Sequence, residues 1–146
     1  MSRVFSHHPI LLVHPDRPEA AYLRDRLVTE GVRHPIVISP SIDDAKDYLF
    51  AATVAAPLQA RFLPCLALLD EKLGEEDVRD LANWARSQPA LSSLHLVRLT
   101  SDHGPAGASE PRGLPWAVPE AIRADGPLDA LRTLIERVCP PVAETP

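Results

Sequence analysis

An α/β fold, one parallel sheet with helices on both faces, is predicted by three features of the chain. Short apolar runs alternate with stretches of helical periodicity from the first residues to the last. The runs "ILLV" and "LALLD" are continuous instead of alternating, as in strands covered on both sides. Carboxylates and hydroxyls, Asp16, Asp70 and Thr100-Ser101, stand where such runs meet loops.

The first strand lies in "PILLVHPD", residues 9–16. Asp16 caps a helix through "RPEAAYLRDRLVTEG", with Pro18 in its first turn and Gly31 at its C-terminal stop. Ala20, Leu23 and Leu27 share one face of that helix. "PIVISP", 35–40, is the second strand. "SIDDAKDYL" follows, with Ser41 and Asp44 at capping-box spacing. The Ala-rich segment 50–64, broken at Pro57, extends this helix or forms a second short one. "CLALLD", 65–70, is the third and most hydrophobic strand. The next helix runs through "EEDVRDLANWARSQ" and ends at Pro89. "LHLVRLTS", 94–101, is the fourth strand.

Residues 101–115, rich in Gly and Pro, lack helical periodicity. "PWAV", 115–118, is the expected fifth strand, and "DGPLDALRTLIERVC" the last helix, with Leu128, Leu131, Leu134, Ile135 and Val138 on its apolar side. One domain over 8–139 is expected, with flexible termini at 1–7 and 140–146.

Composition excludes several function classes. The net charge of −5 and the 5% aromatic content disfavour a nucleic-acid partner, which needs a basic field and stacking surfaces. No apolar run reaches the roughly 20 residues that span a bilayer, so no membrane partner is expected. No secretory cleavage signature appears, and a cytoplasmic location follows as the expectation. Cys65 and Cys139 are too few and too isolated for a disulfide framework or a Cys-based zinc site. Cys65 is read as a small apolar group at the start of a strand. The six histidines show no metal-ligand spacing.

"LPCLALLDEKLG" and "LHLVRLTS", in this order and alternation, resemble the receiver domains of two-component response regulators over nearly the whole chain. The resemblance implies a flavodoxin-like, CheY-like three-layer sandwich. Its parallel sheet would have five strands in the order 2-1-3-4-5, here with the fourth helix shortened or lost. It makes Asp70 the match for the phospho-acceptor aspartate and Thr100 the match for the hydroxyl that contacts the phosphoryl oxygen.

Two family signatures are missing. His14 and Pro15 stand at the positions of the acidic pair that holds magnesium, with Asp16 one residue later. Val118 or Pro119 stands where the strand-five lysine belongs. Magnesium requires near-octahedral oxygen ligands, so no cofactor is expected; Asp16 and Asp70 would be the ligands if the ion bound.

Three functional readings follow from the resemblance. The first is an atypical receiver-like signalling module that binds a sensor histidine kinase, another receiver or an effector, with phosphorylation weak or absent. Trp116 and the apolar last helix motivate that reading, and a homodimer is allowed. The second is a working stand-alone response regulator phosphorylated on Asp70 in a phosphorelay. The third is a small flavodoxin-like ligand-binding protein or enzyme. The preferred reading is not an enzyme, with at most slow autophosphorylation from a phosphodonor at Asp70.

Overall fold

The computed structural model describes residues 5–6, 8–55, 63–100, 120–123, 128–139 and 142–143. Along the chain these form β1 (Phe5–Ser6), β2 (Ile10–Val13), α1 (Arg17–Thr29), β3 (Ile36–Ser39), α2 (Ile42–Ala55) and β4 (Leu66–Asp70). They continue with α3 (Glu75–Arg86), a 3-10 turn at Pro89–Leu91, β5 (His95–Thr100), β6 (Glu120–Arg123), α4 (Asp129–Val138) and β7 (Val142–Ala143).

Local chemistry explains the helix boundaries. The Asp16 carboxylate accepts the Glu19 amide at 3.1 Å and caps α1. Gly31, at φ +100°, turns the chain out of that helix in a conformation open to glycine at no steric cost. Ser41 Oγ accepts the Asp44 amide at 3.1 Å and donates to the Asp44 carboxylate at 3.1 Å, so Ser41 caps α2 through its hydroxyl. α2 runs on to Ala55; the remainder of the predicted 50–64 extension meets residues 56–62, which lie outside the described residues.

The expectation of a single sheet is corrected. Among the described residues the strands form two sheets. The larger is parallel and five-stranded, in the order β3-β2-β4-β5-β6, with β6 paired along the outer side of β5. β6 lies at Glu120–Arg123, beyond the predicted 115–118, which is outside the described residues. The second sheet is an antiparallel ribbon of β1 and β7, in which Phe5 and Ser6 pair with Ala143 and Val142. Segments expected as flexible tails therefore meet each other. Four α-helices stand among the described residues; the stretch expected to have lost a helix, 101–115, falls outside them.

Alternate residues of β2 and β4 feed opposite layers. Leu11, Val13, Ala67 and Leu69 pack against Ile42, Ala45 and Leu49 of α2 and Val78, Leu81 and Ala82 of α3. Ile10, Leu12, Leu66 and Leu68 pack against Ala20, Leu23 and Leu27 of α1 and Leu131, Leu134 and Ile135 of α4. This two-sided burial is why the strands read as unbroken apolar runs.

A disulfide joins Cys65, just before β4, to Cys139, the C-cap of α4, with Cα atoms 5.7 Å apart. This corrects the reading of Cys65 as an isolated thiol. Topology brings together two residues separated by 74 positions, and no local spacing could signal that.

Candidate functional site

The carboxyl ends of β2 and β4 lie side by side, since Val13 is the register partner of Leu69. The residues that follow, His14 and Asp70, therefore meet at one end of the sheet. His14 continues the backbone ladder by donating its amide to Ser39 O at 2.9 Å. Its ring is buried, with 3% of the residue exposed. Nδ1 accepts the Asp16 amide at 3.1 Å. A neutral ring with Nδ1 as acceptor carries its hydrogen on Nε2. Nε2 faces two carboxylates, Asp70 Oδ1 at 3.3 Å and Glu19 Oε1 at 3.5 Å.

Asp70 is half-buried at the end of β4. Its Oδ2 accepts the Lys72 amide at 2.9 Å, and its carbonyl accepts the Leu73 amide at 3.1 Å, so the chain turns tightly after the strand. Burial pushes the Asp70 carboxyl above its ordinary range, opposed by the Lys72 amide and by His14. Lys72 Nζ reaches across to α1 and binds both Glu19 oxygens, at 3.0 and 2.9 Å, with Asp16 Oδ2 at 3.9 Å. Its hydrogen bond to Glu19 holds the ammonium above its usual value.

Of the residues predicted from sequence, Asp70 stands at the centre of this cluster. Asp16 faces elsewhere in its bonding, one carboxylate oxygen capping α1 and the other toward Lys72. Thr100 ends β5, one residue beyond Leu99, the register partner of Asp70. Sequence reasoning missed Glu19 and Lys72, which close the cluster from α1 and the loop after β4. A basic residue two positions past the candidate acceptor was visible, but its partner on α1 was not. It also missed Arg123. With the strand at Glu120–Arg123, Arg123 is the register partner of Thr100 at the carboxyl end of β6. The residues matched to the missing lysine, Val118 and Pro119, lie outside the described residues.

Magnesium fits this arrangement poorly. A hard divalent cation would need oxygen donors, whereas the position beside Asp70 holds a buried imidazole whose N–H, not its lone pair, points inward. Among the described residues, no group of three His, Cys, Asp or Glu side chains is arranged to hold a metal ion.

No protein-family model matches the sequence, and no curated protein sequence matches it. Solved structures do. The bacteriophytochrome response regulator AtBRR is 21% identical with a TM-score of 0.67, covering 90% of this chain and 92% of that one. The phosphorylated cyanobacterial phytochrome response regulator RcpA is 22% identical with a TM-score of 0.63, covering 92% and 99%. The response regulator TrrA of Thermotoga maritima, in complex with Mg2+ and BeF, is 18% identical with a TM-score of 0.65, covering 90% and 98%. The chain has the CheY-like receiver-domain fold found in the response regulators of two-component signalling.

Proposed function

We propose that this chain is a receiver-like signalling module that works by binding another signalling protein, a histidine kinase, a second receiver or an effector. Phosphoryl transfer to Asp70 is slow or absent. The observation that carries this reading is the buried His14 ring beside Asp70. Transferring a phosphoryl group to a carboxylate joins two anions. Its transition state is stabilised by cations and donors held in place around the equatorial oxygens. Here the neighbouring position supplies one N–H, and Lys72 is already engaged by Glu19. In the reading proposed, the module is cytoplasmic, a binding partner and not an enzyme. Among the described residues no helix is long and apolar enough to cross a membrane.

Incubation with acetyl phosphate and magnesium, followed by intact-mass measurement, tests the reading. Little or no phosphoryl adduct is expected, and partner affinity should be insensitive to the phosphodonor. Rapid, stoichiometric labelling lost in Asp70→Asn would overturn it.

One observation favours the second reading, a working phospho-acceptor: the register position of Arg123 beside Thr100 at the strand ends. On that reading Arg123 takes the part of the strand-five lysine, and Arg123→Ala abolishes labelling as Asp70→Asn does. Labelling that survives Arg123→Ala removes the support for it.

A further inference from the structure

The end of the sheet opposite Asp70 holds the Cys65–Cys139 disulfide. Cys65 is fixed on both sides by the backbone, its amide donating to Pro9 O at 3.1 Å and its carbonyl accepting the His95 amide at 3.1 Å. Cys139 is held differently. It caps the last turn of α4 through one amide bond to Ile135 O at 2.8 Å, and the chain then passes to β7. A groove of about 200 Å³ opens beside Cys139, lined by Gly31, Val32 and His34 on one side and Ile135 and Glu136 on the other. Cys139 itself is 2% exposed, while Cys65 is partly exposed.

We propose that Cys65–Cys139 is a reversible thiol–disulfide site, reduced by a dithiol that enters through this groove, and that its opening loosens the C-terminal end of α4 and the β1–β7 ribbon. The exchange balances in two steps. One thiolate of the reductant attacks a sulfur of the pair, forming a mixed disulfide, and the other cysteine leaves as a thiolate and takes a proton. The second thiol of the reductant then displaces the remaining cysteine. The dithiol is oxidised to a disulfide by two electrons, and the protein gains two thiols. Cys65 as a thiol has acceptors already in place, since its sulfur lies 3.8 Å from His8 O and 3.7 Å from Pro9 O.

The consequences are asymmetric. Cys65 stays in the sheet through its two backbone bonds. The α4 side keeps its packing through Leu128, Leu131, Leu134 and Ile135 but loses the covalent tie at its last turn. A reducible bond also suits the cytoplasmic location proposed above, where stable disulfides are rare.

The test uses the full chain, purified without reductant. The native protein is treated with dithiothreitol, its thiols are counted by alkylation and mass, and amide exchange is compared before and after. Two alkylatable thiols should appear without denaturant. Exchange at Glu136–Cys139 and in β7 should accelerate about tenfold or more, while β4 holds. The double variant Cys65→Ser/Cys139→Ala should reproduce the reduced pattern. Thiols that appear only after denaturation, thiols already present before treatment, or reduction with unchanged exchange would each overturn the proposal.

Discussion

Replacing both bonded cysteines, as Cys65→Ala/Cys139→Ala, removes a cross-link between positions 74 apart. In the chain-entropy model, a loop of that size restricts the unfolded ensemble by about 4.5 kcal/mol at 25 °C. Measured effects are commonly smaller, about 2–4 kcal/mol. The buried Cys139 sulfur packs in the same cluster as Leu131, Leu134 and Ile135, so truncating it adds roughly 1 kcal/mol of lost packing. A net loss of about 3–5 kcal/mol is therefore expected. For a domain of this size each kcal/mol shifts Tm by about 2–4 °C, which predicts a fall on the order of 10 °C. The assay is urea unfolding of oxidised wild type and variant, without reductant, followed by fluorescence and circular dichroism. The variant should also show a larger m-value, because its unfolded chain is no longer cross-linked and exposes more surface. Stability within about 1 kcal/mol of oxidised wild type, with an unchanged m-value, would refute the reasoning.

Asp70→Asn should raise stability at neutral pH. Burial lifts the folded-state carboxyl above its ordinary value, so the folded protein holds that proton more tightly than the unfolded chain. The contribution is fully present below the ordinary carboxylate range and is lost as pH rises through the folded-state value. The advantage of the variant should therefore grow from acid toward neutral pH in urea titrations; an advantage that shrinks refutes the assignment. His14→Asp should create a magnesium response, read by titration calorimetry, that wild type lacks, since it places a second carboxylate beside Asp70; equal heats for the two proteins would refute the role given to the imidazole. Lys72→Ala removes an exposed clamp onto Glu19 and should leave the urea midpoint nearly unchanged, because solvent screens such a pair; a clear fall in the midpoint would refute this. Leu68→Ala, at a fully buried position of β4, should cost about 2–5 kcal/mol, and a loss below that range would mean the layer between α1 and α4 is loosely packed.

Much of the fold was legible because its signals are local. "ILLV" and "LALLD" declare two-sided burial by being unbroken, and Asp16, Ser41 and Gly31 mark helix ends through their own backbone chemistry. The failures share one property, dependence on partners distant in sequence. β6 is placed by pairing with β5, and four residues of "EAIR" carry no pattern of their own. β1 and β7 are two residues each and exist only as a pair. The disulfide required Cys65 and Cys139 to be brought together by the layering of α4 on β4. The candidate site shows the same division. Asp70 was visible as an acid ending an apolar run, while the Glu19–Lys72 clamp spans 53 residues and follows from α1 lying beside the loop after β4.

The position of His14 alters what the acid end of the sheet can do. Asp70 is already desolvated enough for its carboxyl to be raised. One oxygen accepts the Lys72 amide, and the other faces the imidazole. An incoming phosphoryl donor needs one of those oxygens as nucleophile, so it must displace or share an existing donor. The product would place further negative charge near Glu19 and Asp16, whose lysine already binds both Glu19 oxygens. A bound divalent cation would offset such repulsion, because its charge is the largest local term in a phosphoryl site; a single N–H from a buried ring offsets far less. The same contacts link β2, β4 and α1 through His14, Asp70, Lys72 and Glu19. On the reading proposed above, a site whose acid is already engaged by its own side chains suits constitutive partner binding better than switching, since switching requires a state that a ligand can favour differentially.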